Sequence, residues 1–160
     1  MYQAVSAREY LTKRSARRGV SIFVDVVMFL FHAEGITNLG IYNRRKVRGG
    51  SAWSLHSVGR AADFGCSKAL GNRLWVFFIR AAGMAGICEI IWNGQRWTQE
   101  HGIQPYHGED DHTTHVHVGF TIAMADNSSP RDSLISWFVA AINLPGWVAR
   151  KQKLPGAVDP

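Results

Sequence analysis

The chain has 160 residues, of which 46% are hydrophobic and 19% charged, with a net charge of +6 and a pI near 9.7. That length fits one domain with a core of its own, and the composition excludes a disordered chain. The positive charge favours an anionic partner, whether nucleic acid, membrane surface or cell-wall polymer, without choosing among them.

Residues 6–18, SAREYLTKRSARR, read as an amphipathic helix capped by Ser6, with Glu9 three positions later. Gly19 is expected to break it. The apolar run from Val20 to Phe31 follows Lys13, Arg14, Arg17 and Arg18, as the core of a signal peptide would. However, Asp25 interrupts the run, it starts late, and no A-x-A site follows. It is also short of the roughly 20 residues of a spanning helix. Residues 20–33 are therefore expected to form a buried helix ending at Gly35, in a chain made in the cytoplasm without an export signal.

Residues 36–43 read as a short strand, and RRKVRGGS (44–51) as a basic loop punctuated by glycine. Ala61 to Phe64 is a candidate strand, and 67–86 a helix with Leu70, Leu74, Phe77, Phe78 and Ala81 on one face. Cys88 to Trp92 is a β-type run, followed by an Asn-Gly hairpin turn in NGQRW (93–97). Cys66 and Cys88 belong to no C-x-x-C pair and are expected to be small buried residues, not part of a disulfide framework.

Residues 98–113 read as a long polar loop leading into a strand over 114–121. After the turn DNSSPRD, a last helix is expected over 132–144, and 145–160, with prolines at 145, 155 and 160, reads as a linker-like tail. The fold class is α+β: a small antiparallel sheet carrying the candidate site, flanked by helices, in one domain over 1–144.

The chemistry concentrates in DDHTTHVHVGF (110–120), where His112, His115 and His117 stand at spacings of three and two. On a strand, His115 and His117 share one face while Val116 and Val118 point into the core. Two imidazoles on one face suit zinc, and His112, just before the strand, can curl back to the same place. A lone H-x-H is a weak pattern, and a solvent-facing polar strand would look the same. SLHSVGRAADFG (54–65) adds His56 and Asp63, seven apart, a gap that fits a turn followed by a strand. Imidazoles plus a carboxylate, with one position left for water, compose a catalytic zinc site.

Ser54-x-His56-x-x-Gly59-x-Ala61-x-Asp63 followed by H-x-H resembles the signature of the zinc D-alanyl-D-alanine carboxypeptidase and L-alanyl-D-glutamate endopeptidase family. The similarity covers roughly residues 36–121 and looks most like the versions from actinobacteria and their phages. It implies a zinc-dependent peptidoglycan peptidase, such as a phage endolysin or its catalytic domain, with His56, Asp63 and His117 as the Zn2+ ligands. Relatives often place a carboxylate three residues before the last ligand; this chain has Thr114, which cannot act as a base near neutral pH. His115 and His112, with ordinary pKa values of about 6.5, become the leading candidates for the proton carrier, with Asp110 or Asp111 as substitutes.

The resemblance also implies that an arginine among Arg44, Arg45 and Arg48 binds a substrate carboxylate, a pairing that suits peptidoglycan stem peptides. Ser54 is a candidate for binding substrate or a ligand; Gly59 and Ala61 are read as small for packing. Trp92, Trp97 and Tyr106 are candidates for lining the cleft or packing in the core. The expected partner is a peptidoglycan peptide acted on at the bacterial wall by a monomer, with no nucleic acid and no membrane insertion. A zinc-stabilised wall-binding module without activity is the alternative. Nucleic-acid binding is disfavoured, because no element interleaves basic and stacking aromatic residues at a consistent spacing.

Overall fold

In the computed structural model, residues 2–127 are described. The helix expected over 132–144 and the tail over 145–160 lie outside those residues. Ser6 caps the first helix, α1 (Ala7–Thr12), its hydroxyl accepting from the Glu9 N–H. The helix is shorter than the sequence suggests. The chain turns extended at Lys13, and α2 (Arg18–Phe31) begins one residue before Gly19, not after it. Gly19 is therefore not a breaker. It sits in the first turn of α2, where a Cβ would come within 1.9 Å of the Met124 carbonyl oxygen.

The physical reason for the early break is a buried ion cluster. Glu9, Arg17 and Arg60 are all buried, with Arg17 Nη1 2.6 Å from Glu9 Oε1 and Arg60 Nη1 3.1 Å from Glu9 Oε2. Arg60 is wholly enclosed, and its remaining nitrogens donate to the Phe120 and Gln3 carbonyls. A continuous helix over 6–18 would carry Arg17 away from these partners. The amphipathic pattern therefore fails here because two of its charged residues face inward.

A single-turn 310 helix (His32–Glu34) follows α2 and closes at Gly35, whose φ of 76° only glycine adopts without strain. The strands are β1 (Thr37–Gly40), β2 (Ala61–Gly65), β3 (Ile87–Trp92), β4 (Gln95–Thr98), β5 (Gly102–Pro105) and β6 (His115–Phe120). Between β2 and β3 lies α3 (Lys68–Ala85), with Ser67 and Gly86 as its caps, and a short α4 (Ile122–Ala125) follows β6. The expected α+β class holds: the strands form one sheet in the order β1-β2-β6-β3-β4-β5, and every pairing is antiparallel.

The segment 98–113 is not an uninterrupted loop, because β5 pairs with β4 inside it. β5 itself is almost wholly exposed, so it carries no apolar alternation from which a strand could be read.

The core lies on one face of the sheet. Phe23, Val27 and Phe31 of α2 and Leu74, Phe77 and Phe78 of α3 pack there against Phe64, Ile90, Val116, Val118 and Phe120. Trp92 belongs to this core, its indole N–H donating to Asn72 at 2.9 Å, and Trp97 packs against it. Cys88 is buried and Cys66 half-buried, and both are free thiols. Among the described residues, no helix is long and apolar enough to cross a membrane.

Candidate metal centre

The opposite face of the sheet carries the polar residues. On β6, Val116 and Val118 enter the core while His115 and His117 face a cavity of about 400 Å³. Asp63 on β2 is the direct cross-strand partner of His117, so their side chains rise from the same point of the sheet. His56 arrives from a 310 turn (Leu55–Val58) just before β2. Ser54 caps that turn by accepting the His56 N–H at 3.3 Å. Gly59 closes it at φ 66°, where a Cβ would lie 2.1 Å from the Ser15 carbonyl oxygen. The serine and glycine of the motif thus shape the turn that presents the histidine, and the wholly buried Ala61 packs beneath it with Leu55 and Cys88.

The three side chains converge closely. His117 Nδ1 is 2.8 Å from Asp63 Oδ1 and 3.2 Å from His56 Nε2, and His56 Nε2 is 3.1 Å from Asp63 Oδ2. Tetrahedral zinc with bonds of 2.0–2.1 Å holds its ligand atoms roughly 3.3 Å apart, so these donors would need to spread only slightly to take a cation. His56 is already oriented for that task. Its Nδ1 lies 3.0 Å from the Ile41 carbonyl, which accepts the ring N–H and leaves the Nε2 lone pair facing the centre.

Electrostatics follow from burial and this close contact. Burial disfavours a charged His117 ring, but its hydrogen bond to Asp63 and the nearby Glu89 carboxylate outweigh that and raise its pKa to about 9. Burial likewise opposes ionisation of Asp63, yet hydrogen bonds from His117 and His56 hold its carboxyl far below the usual range. The metal-free centre is therefore an imidazolium–carboxylate pair, whose proton a cation would have to displace.

Asp110, His112 and His115 form a second group of potential ligands in the same cavity. The loop that carries Asp110 and His112 folds back onto the β3–β4 hairpin: Asn93 N–H donates to the His112 carbonyl at 3.0 Å and Gly94 N–H to the Asp111 carbonyl at 2.8 Å. This brings Asp110 into the cavity and leaves Asp111 exposed. The rings of His112 and His115 are 4.6 Å apart, centre to centre. Burial, followed by the neighbouring His117 and His115 charges, lowers the His112 pKa to about 4. Burial also lowers that of His115, although Asp63 and Asp110 oppose it.

Of the basic residues named from sequence, Arg48 lines the cavity and reaches Asp110 at 3.3 Å. Ser54 also lines it. Arg44 does not: its guanidinium lies 4.0 Å over the Tyr10 ring and donates to the Tyr10 hydroxyl at 3.0 Å. Arg45 and Arg96 are in the cavity instead, together with Tyr106, whose ring meets His112 edge-on at 5.3 Å. Thr114 is exposed at the mouth of β6 and is not among the cavity-lining residues. Sequence reasoning also passed over Glu89 on β3, buried beside His117. A signal existed, because a carboxylate inside the apolar run ICEIIW has to be paired.

Residues 24–117, more than half of the chain, match the family described as VldE, C-terminal domain, and the chain belongs to that family. No curated protein and no solved structure matches it.

Proposed function

We propose that this member of the VldE C-terminal domain family is a zinc-dependent peptidoglycan peptidase, hydrolysing a peptide bond of the stem or cross-link peptide at the bacterial wall. The observation that carries the reading is the convergence of His56, Asp63 and His117 within mutual contact, with Asp63 and His117 lining a cavity of about 400 Å³. The resemblance of 36–121 to zinc carboxypeptidases and endopeptidases of the wall supports it, as does the positive charge, which suits an anionic polymer. Zinc held by His56, Asp63 and His117 would supply Lewis-acid chemistry, polarising a scissile carbonyl and lowering the pKa of a bound water to roughly 7.

The chain's own residues then have separable tasks. His56, Asp63 and His117 hold the metal. His115, whose charged form burial disfavours, takes the proton of the attacking water and passes it to the leaving amine. His112 is the weaker acceptor, since its lowered pKa of about 4 leaves little affinity for a proton. Arg48 and Arg45 face the cavity as cations for a substrate carboxylate, and Arg44, engaged with Tyr10, does not.

The test is release of peptide fragments from purified peptidoglycan, followed by mass spectrometry, for wild type, for His117→Ala and in the presence of a chelator. Hydrolysis lost in the latter two supports the reading, and the fragment masses identify the bond. One zinc bound per chain with no bond cut in any wall preparation would sink the enzyme reading and leave the zinc-stabilised wall-binding module as the alternative. Thr114 leaves room for that outcome, since relatives often keep a carboxylate at its position.

A further inference from the structure

His117 is gripped from both sides. Its Nδ1 faces Asp63 and His56 at 2.8 and 3.2 Å, while its other nitrogen, Nε2, faces Glu89 Oε1 at 3.6 Å. Glu89 stands on β3, where Ile91 is the register partner of His117 and Glu89 that of Gly119. The carboxylate thus reaches His117 diagonally across the site face, over a residue without a side chain. A Cβ on Gly119 would come within 3.3 Å of the Glu89 Cβ and 2.5 Å of Leu55 Cδ1. The far side of Glu89 is closed by Arg96 on β4, whose Nε lies 2.5 Å from Oε2. Glu89 and His117 are each 7% exposed, so this pairing is kept from bulk water.

Glu89 meets the His117 imidazole at Nε2, while Nδ1 faces the converging donors. That is where a metal-binding histidine needs its second partner. A ring that ligates through Nδ1 carries its proton on Nε2, and an acceptor at that nitrogen fixes both tautomer and orientation. His56 has the equivalent arrangement with the nitrogens exchanged, its Nδ1 on the Ile41 carbonyl.

We infer that Glu89 is a positioning residue for the metal centre: it accepts the Nε2–H of His117, holding the Nδ1 lone pair toward the cation, and Arg96 holds Glu89. This rests on the metal-centre reading of His56, Asp63 and His117. It requires the 3.6 Å contact to shorten on metal binding to the roughly 2.9 Å of an N–H···O bond.

The test uses zinc itself on the full chain. Zinc affinity is measured by competition with a chromophoric chelator, and the ring nitrogens of His117 are followed by long-range 15N–1H spectra with and without the metal. Wild type is expected to bind zinc with His117 in the Nε2–H form. Glu89→Ala is expected to lose about 10- to 100-fold in zinc affinity, with a mixed His117 tautomer. Glu89→Gln, which keeps an acceptor without the charge, is expected to fall between the two.

A purely structural role would lower melting temperature while leaving the tautomer and the zinc affinity of the folded fraction unchanged, and that result overturns the inference. If Glu89→Ala does not fold, Glu89→Gln decides the matter: affinity and tautomer equal to wild type overturn it. A wild-type chain that binds no zinc sinks the metal-centre reading as well. One that binds zinc no better than its Glu89 variants sinks this inference alone.

Discussion

Asp63 and His117 are direct register partners on neighbouring antiparallel strands, and their side chains meet at 2.8 Å. Fifty-four positions separate them in the chain, yet the sheet leaves their relative placement almost no freedom. Asp63→Asn keeps the shape of the side chain and removes the charge. Its zinc affinity should fall by more than the roughly 10- to 100-fold of an outer-shell change, with the far-ultraviolet circular dichroism unaltered. Retention of wild-type affinity, measured by chelator competition, would remove Asp63 from the ligand set.

The proton on His117 gives zinc binding a defined pH dependence. With its folded pKa raised to about 9, the ring is protonated in the metal-free protein at pH 7 and must release that proton to bind a cation. Zinc affinity should therefore rise about tenfold per pH unit from pH 7 to 9 and level off above. The sign for stability is the opposite. A raised folded pKa gives stabilisation fully present below the ordinary value of about 6.5. That stabilisation is lost as pH rises through 9. Chemical denaturation of the metal-free chain should accordingly show weaker stability at pH 9.5 than at pH 6.5, and titration of zinc affinity should show the slope.

His115 and His112 are separable by kinetics. His115→Ala should lower kcat by about 10²- to 10⁴-fold, the contribution of a positioned acid–base group, with zinc stoichiometry unchanged. His112→Ala should cost much less, because its lowered pKa makes it a poor acceptor. Equal losses in both variants would show that the pair acts as one relay through the 4.6 Å contact of their rings.

Arg60 is wholly buried, with Glu9 and the carbonyls of Gln3 and Phe120 as its partners. Arg60→Ala leaves the buried Glu9 carboxylate with Arg17 alone and deprives two carbonyls of their donor, so a loss of about 3 kcal/mol is expected from denaturant unfolding. The zinc-loaded protein should be destabilised comparably, since the cluster lies outside the metal centre. A cost under about 1 kcal/mol would show that water or Arg17 replaces the lost guanidinium.

Tyr10 stacks on Trp53 with ring centres 3.7 Å apart, Arg44 covers Tyr10, and the Lys46 ammonium lies 5.5 Å from the Trp53 ring centre. This stack ties α1 to the basic loop that supplies Arg45 and Arg48 to the cavity. Tyr10→Ala should cost about 0.5–1.5 kcal/mol and raise KM for wall fragments more than it lowers kcat. Limited proteolysis should then cut within 44–51 sooner than in wild type.

Much of this was legible in local sequence. α2 and α3 announce themselves by apolar spacing, the β3–β4 hairpin by Asn93-Gly94, and the alternation in HVHV by placing both valines in the core. Such signals depend on residues within a turn or two of one another, and side-chain period and capping carry them. His56, Asp63, His115 and His117 were likewise visible as residue types at suggestive spacings.

Tertiary structure alone decided how they meet. β6, the last strand among the described residues, inserts between β2 and β3, and that single non-local choice sets Asp63 on one side of His117 and Glu89 near the other. It also decided that Arg45 and not Arg44 enters the cavity, that Asp110 and not Asp111 folds back, and that Glu9 and Arg17 turn inward. The physical reason is common to all of them. A sequence pattern constrains which side of its own element a residue faces, but the neighbour across the sheet is selected by the burial and hydrogen bonding of the whole chain.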